Sequence, residues 1–234
     1  MLYHYPNRFI PYPFRPVNLL NYWDPRTEYT APVRYILNST SGLGKHCISK
    51  AEVDFKSMNR LLWEEHVNWT RMTIISIVNN LPDLQYVQER LLRNATDMGN
   101  CLRPFYGDQI ADRYAELIKE HLVLAAELVT AVVKGDTKTA AEKEKEWYRN
   151  ADDIALFLSS INPYLDKEEI RQMFYSHLAL TKFEAVSMIE KKYKEDVAVF
   201  DEIEAQALGM ADAIADGIIK QFPNMFGLCL CYPC

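Results

Sequence analysis

The chain has 234 residues, of which 49% are hydrophobic and 25% charged, and its formal net charge is −6. This composition is typical of a globular protein with a sizeable core. The acidic balance argues against non-specific binding of nucleic acid, which requires a basic surface. Because the sequence lacks an uninterrupted apolar run of about eighteen residues, it predicts no membrane-spanning segment.

Residues 1–48 differ in composition from the rest of the chain. Six of the 11 prolines and nine aromatic residues fall within residues 1–35. Proline at this density disfavours helix and central strand, so we predict an extended arm that packs its aromatic rings on this chain or a neighbouring one. The first residues also lack the apolar stretch of a secretory signal, from which we expect synthesis in the cytoplasm.

A first long helix is predicted to begin at Ser49. Ser49 and Glu52 have the spacing of a capping box, in which each side chain accepts a hydrogen bond from the backbone N–H of the other residue. Apolar residues then recur at helical spacing up to Ile75. Asn79 and Pro82 are predicted to end this helix.

The remainder of the chain is predicted to be helical as well. A shorter helix over residues 83–93 is followed by an irregular stretch through Gly99, Pro104 and Gly107. Four further helices are predicted over residues 108–134, 137–161, 166–192 and 195–222. The sequence therefore predicts an all-α domain over residues 49–226. We expect an up-down antiparallel bundle of four long helices plus a fifth, ferritin-like or hemerythrin-like in style.

Three histidines are predicted to meet inside this bundle. His66, His121 and His177 lie on the first, second and fourth long helices, on or beside the apolar face of each. Each is within about two residues of its helix midpoint, or roughly 3 Å of rise. Since the midpoints of antiparallel helices share one layer, the imidazoles should converge.

Several carboxylates accompany these histidines. Glu184 follows His177 by two turns on the same face, and Glu204 lies on the last helix, while Glu65 and Glu120 directly precede histidines. Histidine and carboxylate side chains from separate helices form iron and manganese sites in bundles. We therefore predict an iron or manganese site from the set His66, His121, His177, Glu184, Glu65, Glu120 and Glu204. A metal-free polar network would use the same residues.

The pattern does not indicate a reaction. The paired Glu-x-x-His motif of di-iron bundles is absent, and no catalytic or cofactor-binding motif is present in the sequence. The tail, residues 227–234, carries Cys229, Cys231 and Cys234, which are too few for a complete zinc site. The alternative function is that of a non-enzymatic structural protein. It would form homo-oligomers through the arm and cross-link through these thiols.

Seven segments that span about residues 61–226 stand out in the sequence: LWEEHVNWTRM, LRPFYGD, KEHL, EWYRNAD, SSINPY, SHLALTKFE and GIIKQFP. They resemble a known family of short all-helical proteins from spore-forming Firmicutes, often labelled acetylglutamate kinase although kinase motifs are absent. The resemblance implies a sporulation-associated setting and no established reaction. It places His66, His121, His177 and Glu184 in recurring motifs, together with Glu64 and Glu120, and leaves the choice between Glu64 and Glu65 open.

Overall fold

The computed structural model describes residues 48–227, and six α-helices account for most of them, with no strand in this range. The predicted arm and cysteine tail lie outside the described residues except at their inner ends. The helices and the short 3-10 turn that follows them are α1 Lys50–Val78, α2 Leu84–Tyr106, α3 Asp108–Val133, α4 Thr137–Ile161, α5 Lys167–Ile189, α6 Tyr193–Gln221 and η1 Pro223–Met225. The prediction of an all-α bundle is confirmed.

Side-chain caps determine where three helices begin. The Ser49 hydroxyl accepts from the Glu52 backbone N–H at 3.0 Å, as the capping pattern predicts. Asp136 and Asp166 cap α4 and α5 in the same way. These side chains satisfy backbone donors that have no partner within the first helical turn, so local sequence sets the starts of α1, α4 and α5.

The prediction of a short helix over residues 83–93 was wrong, because α2 continues to Tyr106. Asn94, Met98 and Leu102 are buried at helical spacing beyond the predicted end, and their packing outweighs the low helix propensity of Gly99. Pro104 lies in the last turn, where its missing N–H removes a single backbone hydrogen bond. The described chain thus has six long helices rather than four plus a fifth.

The six helices form a closed ring. Each helix packs against the next along the chain, α6 packs against α1, and α1 also contacts α3. The connections are short, the longest being residues 79–83 and 162–166, which makes sequential neighbours antiparallel. None of the helices in residues 48–227 is long and apolar enough to cross a membrane.

Helices α2 and α3 approach each other closely at Gly99. Gly99 is buried there, and a Cβ atom on it would lie 2.6 Å from the Ala111 carbonyl oxygen and 2.7 Å from the Ala115 Cβ. Backbone and a short side chain cannot move out of the way as a long side chain would. The absence of a side chain at Gly99 therefore sets the distance between α2 and α3.

We predict opposite effects of the same substitution at two helical glycines. Gly99→Ala should lower the free energy of unfolding by about 1–3 kcal/mol, since it overpacks this helix contact. Gly209→Ala should raise it by about 0.5–1 kcal/mol, because a Cβ on Gly209 meets nothing within 4 Å in the described chain. Urea unfolding of both variants measures the difference. Equal effects at the two sites would contradict the packing argument.

Candidate functional site

The structure brings two of the three predicted histidines into direct contact. His66 on α1 and His177 on α5 are buried, with ring centroids 5.7 Å apart. Trp63 lies against both imidazoles, at 5.5 Å from the His66 ring and 6.4 Å from the His177 ring. We call His66 and His177 the imidazole pair.

His177 is held by a chain of hydrogen bonds that leaves one ring nitrogen available. Its Nδ1 lies 2.9 Å from the Gln206 Oε1, and the Gln206 Nε2 donates to the Met173 carbonyl at 2.9 Å. Because that second bond orients the Gln206 amide, Oε1 must accept the proton carried by Nδ1. The His177 Nε2 therefore carries the lone pair.

His66 has a buried nitrogen that is not satisfied. Neither its Nδ1 nor the buried Oδ1 of Asn94 on α2 makes a hydrogen bond of normal geometry among residues 48–227, although the Asn94 side chain lies close enough to act on the pKa of His66. Asn94 itself is held in place, because its Nδ2 donates to the Leu62 carbonyl at 2.9 Å. A buried polar atom without a partner costs about 1–3 kcal/mol, so this arrangement is not favoured by stability alone.

His121 is buried too, but both of its ring nitrogens are already used. Nδ1 lies 2.9 Å from the Asn150 Oδ1, and the Trp147 indole N–H donates to Nε2 at 3.1 Å. The Asn150 Nδ2 donates to the Leu117 carbonyl at 3.1 Å, which fixes the amide. His121 therefore serves as a fully satisfied core residue, with Phe174 packed against its ring at 5.9 Å.

Burial keeps all three histidines neutral near pH 7. It lowers the pKa of His121 to about 3 and that of His177 to about 4. Burial, followed by the proximity of His177 and His121, lowers the pKa of His66 well below its usual value, against the raising effect of the Asn94 side chain. A neutral imidazole keeps a lone pair, which is the form that binds a metal ion or accepts a hydrogen bond.

Glu184 is buried in a different cluster. Its carboxylate pairs with Arg71 on α1, whose Nη2 also lies 2.8 Å from the Asp196 Oδ2 on α6. Burial and the nearby Asp196 raise the pKa of Glu184 to about 7, against the lowering effect of Arg71. Arg71 also lies over the Phe200 ring, 4.7 Å from its centroid. We call Arg71, Glu184 and Asp196 the ionic triad.

The other predicted carboxylates lie towards the surface. Glu65 pairs with Arg90 at 2.9 Å, and the exposed Glu120 lies 3.8 Å from Arg149. Glu204 is half-buried, and its pKa is raised by burial and by the neighbouring Glu64. Within residues 48–227, no three His, Cys, Asp or Glu side chains lie together in an arrangement that could hold a metal ion.

Sequence reasoning did not identify the partners of these side chains. Gln206 and Asn150 bond to the Nδ1 atoms of His177 and His121, and Arg71 pairs with Glu184. Helical spacing alone could place these residues only on inward faces. An amide or guanidinium at such a position has no sequence pattern that indicates its hydrogen-bond partner. Their roles follow from the register between helices.

Fold and site together define an antiparallel helical bundle with a buried imidazole pair and a separate ionic triad. Comparisons with protein-family models, curated proteins and solved structures give no match to this chain. The resemblance to the Firmicutes family therefore stays a prediction, and the function has to be argued from the site.

The buried histidines predict that the protein loses stability in acid. A lowered folded-state pKa means that the unfolded chain binds protons first, below about pH 6.5. The stabilising contribution is present above that pH and is lost as the pH falls through about 4 for His177 and about 3 for His121. Each such group adds about 1.4 kcal/mol per pH unit to the slope.

His121→Gln isolates one of these contributions. Between pH 6 and pH 4, the unfolding free energy of the variant should depend on pH less steeply, by about one proton. Urea unfolding at several pH values measures the slope. The exposed substitution Glu120→Gln is the control and should change the slope far less. Identical slopes for His121→Gln and the unsubstituted protein would show that His121 is not a buried neutral histidine.

Proposed function

We propose that this protein is a metal-binding helical bundle, and that it holds one divalent transition-metal ion between the His66 Nδ1 and the His177 Nε2. The observation that carries the proposal is the buried His66 Nδ1, which makes no hydrogen bond of normal geometry among the described residues and belongs to a ring 5.7 Å from that of His177. A metal ion between the two rings would satisfy both nitrogens at once.

The support for His177 has the form expected of a metal ligand. Ligating histidines usually donate their other ring N–H to a carboxylate, a carbonyl or water, which fixes the tautomer and the ring orientation. Gln206 provides such an acceptor and is itself anchored to the Met173 carbonyl. The neutral form favoured by the low pKa of His177 is also the ligating form.

The donor set favours iron over manganese. Two imidazoles are suited to iron and to other borderline transition metals, whereas manganese prefers carboxylate and water oxygens. The Asn94 side chain, which lies close enough to raise the pKa of His66, would supply a further oxygen, and water would complete the coordination. The site is therefore proposed as mononuclear. Its likeness to ferritin-like and hemerythrin-like bundles is limited to the binding of iron between helices. The proposal concerns binding and assigns no reaction.

The proposed ligand set is narrower than the one predicted from the sequence. His121 enters it only if its bonds to Asn150 and Trp147 break, and Glu184 only if it leaves Arg71. Glu65, Glu120 and Glu204 have no part in it, because they lie towards the surface. The choice between Glu64 and Glu65 has no bearing on this set, since both are half-buried.

We predict that substituting the two proposed ligand histidines will abolish iron binding, whereas substituting His121 will not. His66→Gln and His177→Gln should each abolish stoichiometric binding of Fe²⁺, measured anaerobically by elemental analysis after gel filtration. His121→Gln should still bind about one ion per chain, because its nitrogens are not proposed as ligands. Circular dichroism checks that each variant is folded. Retention of iron by both His66→Gln and His177→Gln would exclude the site, and so would an iron-free parent protein after reconstitution.

A second prediction concerns the anchor of His177. Gln206→Met keeps the length of the side chain but removes the hydrogen-bond acceptor for His177. Iron affinity should then fall about 10- to 100-fold, as is usual when a residue that hydrogen-bonds to a metal ligand is replaced. Gln85→Met is the control, since Gln85 is exposed and donates to the Glu89 carboxylate at 2.9 Å, away from the imidazole pair. Competition against a coloured iron chelator measures the affinity. An unchanged affinity in Gln206→Met would contradict ligation by the His177 Nε2.

The alternative function, structural assembly associated with the spore, depends on residues outside the described range. It remains a proposal carried by the aromatic arm and by Cys229, Cys231 and Cys234. Light scattering of the full chain under reducing and oxidising conditions separates it from simple metal binding. A reducible homo-oligomer would support assembly, and a monomer under both conditions would remove it.

A further inference from the structure

A groove runs between the first half of α2 and the second half of α3. Its lining includes Leu91 and Leu92 of α2, residues of α3 from Leu122 onward, Lys134 and the first two turns of α4. Its cavity volume is about 490 Å³, which is within the usual range for small-molecule sites of roughly 300–1,000 Å³. We call it the α2–α3 groove.

The groove follows from the way in which α2 and α3 pack. A Cβ atom on Gly99 of α2 would lie 2.7 Å from the Ala115 Cβ of α3, so the two helices are close at that level. Leu92 precedes Gly99 by seven residues, or about two helical turns. Leu122 follows Ala115 by the same number. At this distance from the contact the side chains no longer fill the space between the helices, and the short side chain of Ala126 leaves part of it open.

Most of the groove surface is apolar, and part of it is in contact with water. Leu91 and Leu122 are buried at its floor, whereas Ala126 is half-buried and Val123 is exposed. Lys134, which directly follows α3, lies twelve residues after Leu122, so the groove extends about 18 Å along this helix. A groove of this length accommodates an extended alkyl chain, and each methylene group that it covers contributes to binding.

The charged side chains that line the groove are engaged with protein groups, with one exception. The Lys143 ammonium group lies 2.9 Å from the Glu127 Oε2. The Asp136 carboxylate accepts from the backbone N–H of Thr139 at 3.0 Å and from its hydroxyl at 2.7 Å. Lys134 is exposed at the groove, and it forms no ion pair within residues 48–227. The groove therefore offers one available cation, directly after the end of α3.

We propose that the α2–α3 groove binds a medium-chain monocarboxylic acid. The alkyl chain lies along the aliphatic side chains of α2 and α3, and the carboxylate pairs with the Lys134 ammonium group. One carboxylate matches one available lysine, whereas a phosphate monoester would bring a second negative charge without a partner. A cationic head group would find the nearby carboxylates engaged with Lys143 and Thr139. The groove is separate from the proposed metal site, since neither His66 nor His177 lines it.

The test uses the full chain, with octanoate, decanoate and dodecanoate as probes below the concentrations at which they form micelles. Isothermal titration calorimetry should show saturable binding to one site, with affinity rising about two- to fourfold for each added methylene. Decyltrimethylammonium, which has a comparable alkyl chain and the opposite charge, should bind more weakly than decanoate. His66→Gln should leave decanoate binding unchanged, so this proposal and the metal proposal fail separately.

Substitution of Lys134 tests the position of the carboxylate. Lys134→Gln should weaken decanoate binding about two- to fivefold, as expected for the loss of one exposed ion pair. It should not weaken the binding of decyltrimethylammonium, whereas a change in the shape of the groove would weaken both. Lys119→Gln is the matched control, since it removes the same charge from an exposed position of α3 that does not line the groove. It should retain the affinity of the unsubstituted protein for both probes.

Substitution of Val123 tests the position of the alkyl chain. Val123→Glu should lower decanoate affinity at least about tenfold, because the new carboxylate would be desolvated by the alkyl chain and would repel the ligand. Val123 is 37% exposed, so the bundle core is left intact. Val197→Glu is the matched control at an exposed position of α6 that does not line the groove, and it should bind decanoate as the unsubstituted protein does. Circular dichroism checks that both variants are folded.

Four results would each overturn the proposal. The first is the absence of saturable decanoate binding by the folded full chain. The second is binding of decyltrimethylammonium as tight as that of decanoate. The third is an equal loss of affinity for both probes in Lys134→Gln, and the fourth is unchanged decanoate binding by a folded Val123→Glu variant. If Val123→Glu does not fold, the comparison of the two probes in Lys134→Gln decides the question.

Discussion

The contact between the first and last helices sets the register of the whole ring. Three pairs cross it: Lys56 with Asp216 at 2.7 Å, Asn59 with the Ala211 carbonyl at 2.5 Å and Arg60 with Asp212 at 2.5 Å. From the Lys56 pair to the Arg60 pair, four residues forward along α1 are matched by four residues backward along α6, as antiparallel packing requires. Exposed ion pairs add little stability, but together these contacts define one alignment of α1 on α6.

That alignment determines the chemistry of the imidazole pair. Extending the antiparallel register of the Lys56 and Arg60 pairs along α1 places Gln206 of α6 opposite His66. Gln206 bonds to His177, so it connects α5 to the level of His66. The ionic triad adds a second link a few residues further along, since Arg71 reaches both Glu184 on α5 and Asp196 on α6. A shift of α6 by one turn would break both links.

The helices were largely predictable from sequence, whereas the site was predictable only in part. Caps such as Ser49 act locally, so the starts of helices could be read from the residues themselves. The end of α2 could not, because Gly99 and Pro104 favour a break that packing against α3 overrides. The placement of His66 and His177 at one level succeeded, since helix length and antiparallel packing determine depth.

The carboxylates were assigned less well, for a geometric reason. Glu65 and Glu120 precede histidines in sequence, and neighbouring residues on a helix point about 100° apart. An inward histidine therefore turns its adjacent glutamate towards the side or the solvent, where Glu65 meets Arg90 and Glu120 meets Arg149. Glu184 was correctly placed inside, but its pairing with Arg71 depends on the register between α1 and α5.

The distribution of unsatisfied atoms is the strongest reason to regard this interior as a binding site. Five buried side-chain atoms within residues 48–227 lack a hydrogen-bond partner, and four of them belong to His66, Thr70, Asn94 and Thr181. Each costs stability, and a core selected for stability alone would pair them or replace them with apolar groups. His121, buried in the same bundle, has both nitrogens satisfied. The fold can therefore satisfy a buried imidazole, and it leaves polar atoms unsatisfied on His66 and one turn further along α1 and α5, at Thr70 and Thr181.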